Sequence, residues 1–414
     1  MRVSIIIPVY NVKSFLHICL DSIINQTHKD LDIVCVDDGS TDGSSDILRM
    51  YAERDLRIQY ISQANSGAVI ARQVAVNAAK GDYILFCDPD DWLDPNTCEI
   101  VLDFALKTQA DVVQYGVVAE NCNTDEDKRD VEKWFKGTIN VIDSGVEMLS
   151  ECFEKRSFAW NIIGKCVRAT IAKQAFKAQE RIDFSNSTDI YSSYYLYCYA
   201  KSWQRIESPQ LYHYRWGNGV STKKNIPLDT FLYSLQQFDG LNAMKRFAEG
   251  HFSPTDYRYI VVQQYIPYIM IEASLDVGLN RLEKDVDVTM WINKLCDKAG
   301  IQDVLYVLTK KAIAINHQNR LLTQHTSYQE QMLITLNEQI KFAKKNSINK
   351  LEKLRTEYNL TKNDLVNLLF IVVFWVPGFD ICISDIKNEK LNYDVLEKEK
   401  KCRFINLDNI IYRK

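Results

Sequence analysis

The chain has 414 residues, 46% of them hydrophobic and 25% charged, ordinary globular values that exclude wholesale disorder, a collagen-like fibre and a small disulfide scaffold. That length suits two or three domains. The net charge of −4, from 50 basic and 54 acidic residues, lacks the basic excess that phosphate neutralisation requires, so no nucleic-acid partner is expected.

Residues 3–9 are a continuous apolar run with β-branched side chains, as expected of a strand buried on both faces. Helical apolar spacing follows at 15–24, a second apolar strand at 33–36, a helix at 46–51 and a strand at 58–61. An Ala/Val-rich helix covers 68–79, and a strand at 83–87 runs into carboxylates. Pro95 is expected in the first turn of another helix, and 111–115 reads as a strand. Strands alternating with helices imply a doubly wound, mainly parallel α/β sheet. Ligands bind such sheets beyond the carboxyl ends of the strands, which selects the residues after Val9, Val36 and Cys87. Residues 121–133 are polar and acidic, suiting a surface insertion or a boundary. Residues 150–225 mix helix and strand signals and are rich in Tyr and Trp, and from about Leu228 the pattern is helical.

The 11 cysteines are scattered, with no CxxC pair and no zinc-like Cys/His spacing, so free, mostly buried thiols in a reducing compartment are expected. Met1-Arg2-Val3 leads directly into the first strand without a signal-peptide pattern. The apolar run 365–376 is shorter than the ~20 residues of a spanning helix. A cytoplasmic location is expected.

Three carboxylates crowd the end of one predicted strand in Cys87-Asp88-Pro89-Asp90-Asp91. Unpaired, they repel each other and resist ionisation. A hard divalent cation, Mg²⁺ or Mn²⁺, relieves this and completes its shell with phosphate oxygens and water. An acidic first turn for the next helix explains the same residues equally well. Val36-Asp37-Asp38-Gly39-Ser40-Thr41-Asp42 also ends a strand, with Asp38 able to accept from a base N–H and Gly39 allowing a tight turn. Two acidic strand ends in one parallel sheet converge on one crevice, which disfavours a pair of mere capping turns.

Ile5-Ile6-Ile7-Pro8-Val9-Tyr10-Asn11, the Asp37–Asp42 segment, Asn65-Ser66-Gly67 with Ala71-Arg72, and Gly81-Asp82-Tyr83 leading to Asp88-Pro89-Asp90-Asp91 occur in this order. Together they resemble a family 2 glycosyltransferase of the bacterial surface-polysaccharide type, densely over the first quarter and more loosely to about residue 222. The resemblance implies a GT-A-like α/β fold, followed here by a mostly α-helical C-terminal region. It implies metal-dependent, inverting transfer of a hexosyl or N-acetylhexosaminyl group from a UDP-sugar to a hydroxyl of a glycan or lipid-linked glycan. By similarity, Pro8, Tyr10 and Asp38 line the uracil pocket, and Asp88 lies at the ribose and donor sugar. Asp90 ligates Mn²⁺ or Mg²⁺, Asp91 lies near the donor sugar, and Arg72 faces the nucleotide.

Inversion needs one displacement and a base for the acceptor proton. Asp189, in Ser187-Thr188-Asp189-Ile190-Tyr191, fits the position where the family often carries Glu-Asp. Thr188 replaces the Glu, a departure from the pattern; a helix-capping role is the alternative for Asp189, and Asp183 is the fallback base. Trp160 and Lys165 resemble the acceptor-side Trp-x-x-x-x-Lys region, with a core Trp equally compatible. Tyr212-His213-Tyr214-Arg215 with Ser221-Thr222 resembles the strand and mobile loop after the base. There His213 or Arg215 reaches the diphosphate on closure, while an ordinary strand role suits His213 at least as well. Gly217 and Gly219 supply freedom for a closure that excludes water.

The expected organisation is a glycosyltransferase domain at 1–225 (nucleotide-sugar half 1–120, acceptor half 121–225), a helical region at 226–327 and a helical basic and apolar tail at 328–414. That tail, with its basic stretch at 341–355, suits a solvated helix, a homodimer or peripheral contact with the inner membrane face. The alternatives to an active transferase are an inactive nucleotide-sugar-binding scaffold and a nucleotidyltransferase. The latter's glycine-rich phosphate loop is absent from Pro8-Val9-Tyr10-Asn11, and no GxGxxG follows the first strand to suggest a dehydrogenase.

Overall fold

A computed structural model describes residues 1–184, 186–217, 225–283, 288–300, 303–304 and 306–307. By contacts, it divides into two compact units. One takes in Met1–Lys223 and Tyr233–Met270, the other Lys224–Leu232 and the chain from Ile271.

The first unit begins as alternating strands and helices: β1 (Val3–Val9), α1 (Lys13–Ile24), β2 (Leu31–Asp37), α2 (Ser44–Arg54), β3 (Ile58–Ser62), α3 (Ala68–Ala78) and β4 (Tyr83–Phe86). β3, β2, β1 and β4 are neighbours in that order and all parallel. Almost every residue of β1, β2 and β4 is buried, because helices cover both faces of a doubly wound sheet. Successive strands step outward from β1 on one side and then jump to β4 on the other, so the sheet switches direction between β1 and β4, where a crevice opens. Ile6 O accepts from Cys87 N–H (3.0 Å) and Val9 O from Asp38 N–H (2.8 Å). Alternate residues of β1 therefore face β4 and β2. Pro8 faces the β4 side, where pairing has already ended after Ile6, so its missing N–H disrupts no ladder bond.

The chain continues through β5 (Trp92–Leu93), α4 (Thr97–Thr108), β6 (Val112–Glu120), α5 (Asp125–Lys136), β7 (Val141–Ile142), α6 (Gly145–Leu149), β8 (Lys165–Arg168), α7 (Ala169–Ala178), α8 (Thr188–Tyr199) and β9 (Trp203–Arg215). The sheet extends as β4-β8-β6-β9-β5, with β7 on β9. β8 is antiparallel to β4 and β6, while β6 and β9 are parallel. The expected α/β class is met, and the antiparallel strands make the sheet mixed. Between Gln114 and Val117 the β6–β9 register shifts, accommodating Pro209 in a bulge.

Three sequence expectations change. α4 starts at Thr97, not at Pro95. Pro95 sits in the preceding turn, closed by Thr97 N–H to Asp94 O (3.1 Å), where its fixed φ suits the second turn position. The strand expected at 111–115 runs on to Glu120. The acidic stretch 121–133 is largely a surface helix: Thr124 caps α5 by accepting from Asp127 N–H, and three acidic residues fill its first turn.

α8 is buried along eight consecutive residues, Ile190–Tyr197, so it runs through the interior rather than over the surface. α9 (Leu228–Ser234), α10 (Gln237–His251) and α11 (Tyr257–Gln264) follow. α10 packs on α8 through Phe247, whose ring lies 4.8 Å from that of Tyr195, and Tyr194 donates to Arg258 O (2.9 Å). α12 (Ile266–Asn280) and α13 (Val288–Ala299) complete the described helices. In the second unit, Trp291 packs edge-on against Phe231. Among the described residues no helix is long and apolar enough to cross a membrane, and nine cysteines are free thiols. The end of the stretch expected as a helical region at 226–327 and all of the tail at 328–414, with its segments 341–355 and 365–376, lie outside the described residues.

Candidate active site

The site is built at the carboxyl ends of β1, β2 and β4. The two loops after β1 and β2 lock together. Asn11, in the left-handed region at φ 50°, accepts from Thr41 N–H on its side-chain oxygen (2.8 Å) and donates its own N–H to Ser40 Oγ (3.1 Å). Lys13 N–H donates to Asp42 (2.9 Å). Asp37 turns back to accept from Ser40 N–H (3.0 Å) and from the Ser45 hydroxyl. Tyr10, carried on this platform, stays 48% exposed.

Asp38 is buried and holds the loop after β3. It accepts from Gln63 Nε2 (2.6 Å), Ser66 N–H (2.9 Å) and Gly67 N–H (2.8 Å). That fixes the start of α3, and α3 in turn aims Arg72 inward. Arg72 is 5% exposed. Its Nη2 donates to Asp88 Oδ1 (3.2 Å), and its Nη1 to Asp189 Oδ1 (3.1 Å) and to Thr188 Oγ1 (3.1 Å). One guanidinium therefore joins the strand-end carboxylates to the proposed base, which lies in the first turn of α8. Thr188, at the position where a carboxylate was expected, supplies a neutral acceptor to the same group.

Asp88 to Asp91 form a turn, closed by Asp91 N–H to Asp88 O (3.1 Å). Burial pushes the Asp88 carboxyl up to about 6; Arg72 opposes this, while Asp189 and Asp90 add to it. Burial also raises Asp90, with Arg215 pulling the other way. Asp91 is fully buried, and both its oxygens face β9: Oδ2 accepts from the Tyr212 hydroxyl (2.7 Å) and Oδ1 from Arg215 N–H (2.7 Å). Burial, then the charges of Asp90 and Asp88, drive its pKa well up. The Tyr212 hydroxyl oxygen also accepts from Asp88 N–H (3.0 Å). Tyr212 thus holds the turn at both ends, a role sequence reading missed; its partners lie over 120 residues away, and only its place in an aromatic motif marked it.

Arg215 is held between the rings of Phe15 and Trp92, 5.0 and 4.8 Å from its guanidinium carbon, and donates from Nε to Asp90 O (2.9 Å). His213 stacks on Trp92 (5.0 Å) and lies against Glu120 (2.9 Å) and Asp94 (3.5 Å), so its ring nitrogens are directed to those carboxylates. Lys165 is 1% exposed and donates to Ala159 O (3.0 Å) and Asn161 O. Burial lowers its pKa to about 8; it braces the loop that carries Trp160 from within. Trp160 is half-buried, edge-on to Trp134 (5.7 Å), and its carbonyl accepts from Ser193 of α8 (2.5 Å). Asp183 accepts from the Tyr233 hydroxyl (2.6 Å) and lies beside Gly67, away from Arg72's bonds. Gly219, Ser221 and Thr222 of the expected closing loop lie outside the described residues.

Among the described residues no three His, Cys, Asp or Glu side chains form a ready-made metal cage. Mg²⁺ and Mn²⁺ sites of the phosphate-binding kind need only one or two carboxylates. Asp90, half-buried and short of counter-charge, fits that requirement with Asp88 beside it, whereas Asp91 is already committed to β9.

Residues 4–163 match the family model described as glycosyl transferase family 2. They belong to glycosyltransferase family 2. The chain is 31% identical over 225 residues to the putative glycosyltransferase EpsH of Bacillus subtilis, covering 51% of this chain and 60% of that protein. It is 44% identical over 111 residues to the glycosyltransferase GlyA of Streptococcus pneumoniae, covering 27% of this chain and 16% of the relative. The chain thus spans less than two thirds of each. The crystal structure of Staphylococcus aureus TarS 1–349 in complex with UDP-GlcNAc aligns with a TM-score of 0.48 at 16% identity, over 79% of this chain and 95% of that one.

Proposed function

We propose that this protein transfers a sugar, with inversion and with the help of Mn²⁺ or Mg²⁺, from a UDP-sugar to a hydroxyl of a glycan or lipid-linked glycan in surface-glycan synthesis. The observation that carries the reading is the Arg72 bridge from Asp88 to Asp189 (3.2 and 3.1 Å), which joins a donor-side carboxylate and a base candidate in one site. A relative 42% identical over 116 residues, covering 27% of this chain and 18% of its own, is the poly(ribitol-phosphate) β-glucosyltransferase of Bacillus spizizenii, in keeping with transfer to a hydroxyl of a polymer.

In this reading Tyr10 offers its exposed face to the base of the nucleotide, and Asp38 keeps the loop after β3 clear of the crevice. Asp90, with Asp88, would hold the cation, which when bound would supply Lewis-acid stabilisation of a leaving diphosphate. Asp189 accepts the acceptor hydroxyl's proton as that oxygen attacks the anomeric carbon. Arg72 orients Asp189 through its hydrogen bond to Oδ1. Trp160 and its edge partner Trp134 present apolar faces on the acceptor side.

The test is UDP release from a panel of UDP-sugars without acceptor, in Mn²⁺, Mg²⁺ or EDTA. One donor is expected to be hydrolysed slowly in metal and not in EDTA, with turnover lost in Asp90→Ala and in Asp189→Asn. Turnover that persists in Asp90→Ala overturns the metal assignment. Silence with every donor, in folded protein that also fails to bind UDP with Mn²⁺ by calorimetry, overturns the enzyme reading.

A further inference from the structure

Two tyrosines stay exposed among the described residues, Tyr10 at 48% and Tyr233 at 37%. They are far apart in sequence, yet both stand at the Asp38 end of the site. Asp38 N–H donates to Val9 O (2.8 Å), beside Tyr10, and Asp38 Oδ2 accepts from Gly67 N–H (2.8 Å). Gly67, at φ +88°, has no room for a side chain, because a Cβ there would collide with Asp183 Oδ1. Asp183 thus sits on the start of α3, and the same Oδ1 accepts from the Tyr233 hydroxyl (2.6 Å). Burial and Asp183 push the Tyr233 hydroxyl's pKa up, and Asp38 and Tyr10 add to this, which puts Tyr233 within electrostatic reach of both. All five residues belong to the first unit.

The chain behind Tyr233 is pinned to the same place. Gln237 Oε1, one turn on, accepts from the Ser187 hydroxyl (2.5 Å), and Gly240 packs against the ring of Phe184. Tyr233 to Gly240 therefore follow the segment that leads into α8 and Asp189. Tyr233 commits its hydroxyl to Asp183 and keeps its ring open to solvent. An aromatic face anchored through its polar end gives contact area at little entropic cost. Two such faces grouped at one carboxylate suit a flat heteroaromatic ring, since every nucleobase offers a face for stacking.

We propose that Tyr233 is a second wall of the nucleobase site, with the donor's base packing against it as well as against Tyr10 and with Asp183 fixing its ring, a role that rests on the nucleotide-sugar reading. Calorimetry on the full chain in Mn²⁺, with UDP and with pyrophosphate as separate probes, tests it. Tyr233→Ala should weaken UDP by about tenfold and leave pyrophosphate unchanged, because the lost contact is with the base. Tyr233→Phe should keep most of the UDP affinity, because the ring remains and only the bond to Asp183 goes. UDP affinity unmoved by Tyr233→Ala overturns the proposal and leaves the transferase reading intact. Equal losses for UDP and pyrophosphate, or a Phe variant as weak as the Ala variant, would make Tyr233 a strut for Asp183 and overturn it as well. Absence of UDP binding by the wild-type chain overturns the UDP-sugar reading and the second wall with it. Should Tyr233→Ala fail to fold, Tyr233→Leu, which fills similar space without an aromatic face, carries the same expectations.

Discussion

Arg72→Gln removes the charge that joins the two halves of the site while keeping a polar side chain of similar reach. The guanidinium makes three hydrogen bonds, to Asp88, Thr188 and Asp189. Breaking a fully buried ion pair costs ~3–5 kcal/mol, whereas an exposed pair is worth ~1 kcal/mol or less. Arg72 is buried, but the carboxylate side chains keep 30% and 27% of their exposure. The expected loss therefore falls between those limits, about 2–3 kcal/mol. Turnover should fall further than folding stability alone explains. Arg72 holds the Asp88 carboxyl down against a burial that already brings it to about 6, so without the cation Asp88 carries less charge at neutral pH. Urea unfolding and UDP-sugar hydrolysis of wild type, Arg72→Gln and Arg72→Lys measure both effects. The lysine variant should recover part of the stability but little of the turnover, since one ammonium does not reproduce the two-pronged fork. Combining Arg72→Gln with Asp189→Asn should be non-additive by ~1 kcal/mol or more. Additivity within ~0.3 kcal/mol, or a stability loss below ~0.5 kcal/mol for Arg72→Gln, would refute the bridging argument.

Other substitutions probe the supports of the site. Tyr212→Phe strands Asp91 Oδ2 and Asp88 N–H in a buried position, so a loss of ~2 kcal/mol in urea unfolding is expected; a change under ~0.5 kcal/mol would mean the turn holds itself. Gly39→Ala places a side chain at φ +79°, its Cβ 2.8 Å from Asn65 N, and should destabilise by more than ~1 kcal/mol, with weakened UDP binding by calorimetry as the second readout; unchanged stability would contradict the clash. Lys165 titrates near 8 in the folded protein, below its ordinary 10.5, because it is buried. The unfolded chain therefore binds the extra proton between those values. Its contribution is complete above 10.5 and is lost as pH falls through about 8, a span of about 3 kcal/mol. The stability difference between wild type and Lys165→Met should thus rise with pH from 8 to 10, and a flat difference would show that the ammonium is not desolvated as described.

Local chemistry made the nucleotide half legible in sequence. Apolar, β-branched runs buried on both faces can only be central strands, and the helices between them require parallel connections, so β1 to β4 and the crevice beyond Val9, Val36 and Cys87 followed from pattern alone. The crowding of Asp88, Asp90 and Asp91 was equally visible, because repulsion among neighbours in sequence needs no fold. What each carboxylate faces was decided only by the tertiary structure. Asp91 turns to Tyr212 and the backbone of Arg215, and Asp38 to the loop after β3. Lys165 points into the core instead of toward an acceptor, and His213 toward Glu120 and Asp94. Each of these partners is 28 to 124 residues away, with the single exception of the Lys165 loop. A side chain's spacing in sequence fixes the face of its strand or helix; which charge it meets there depends on the packing of elements that the pattern does not order.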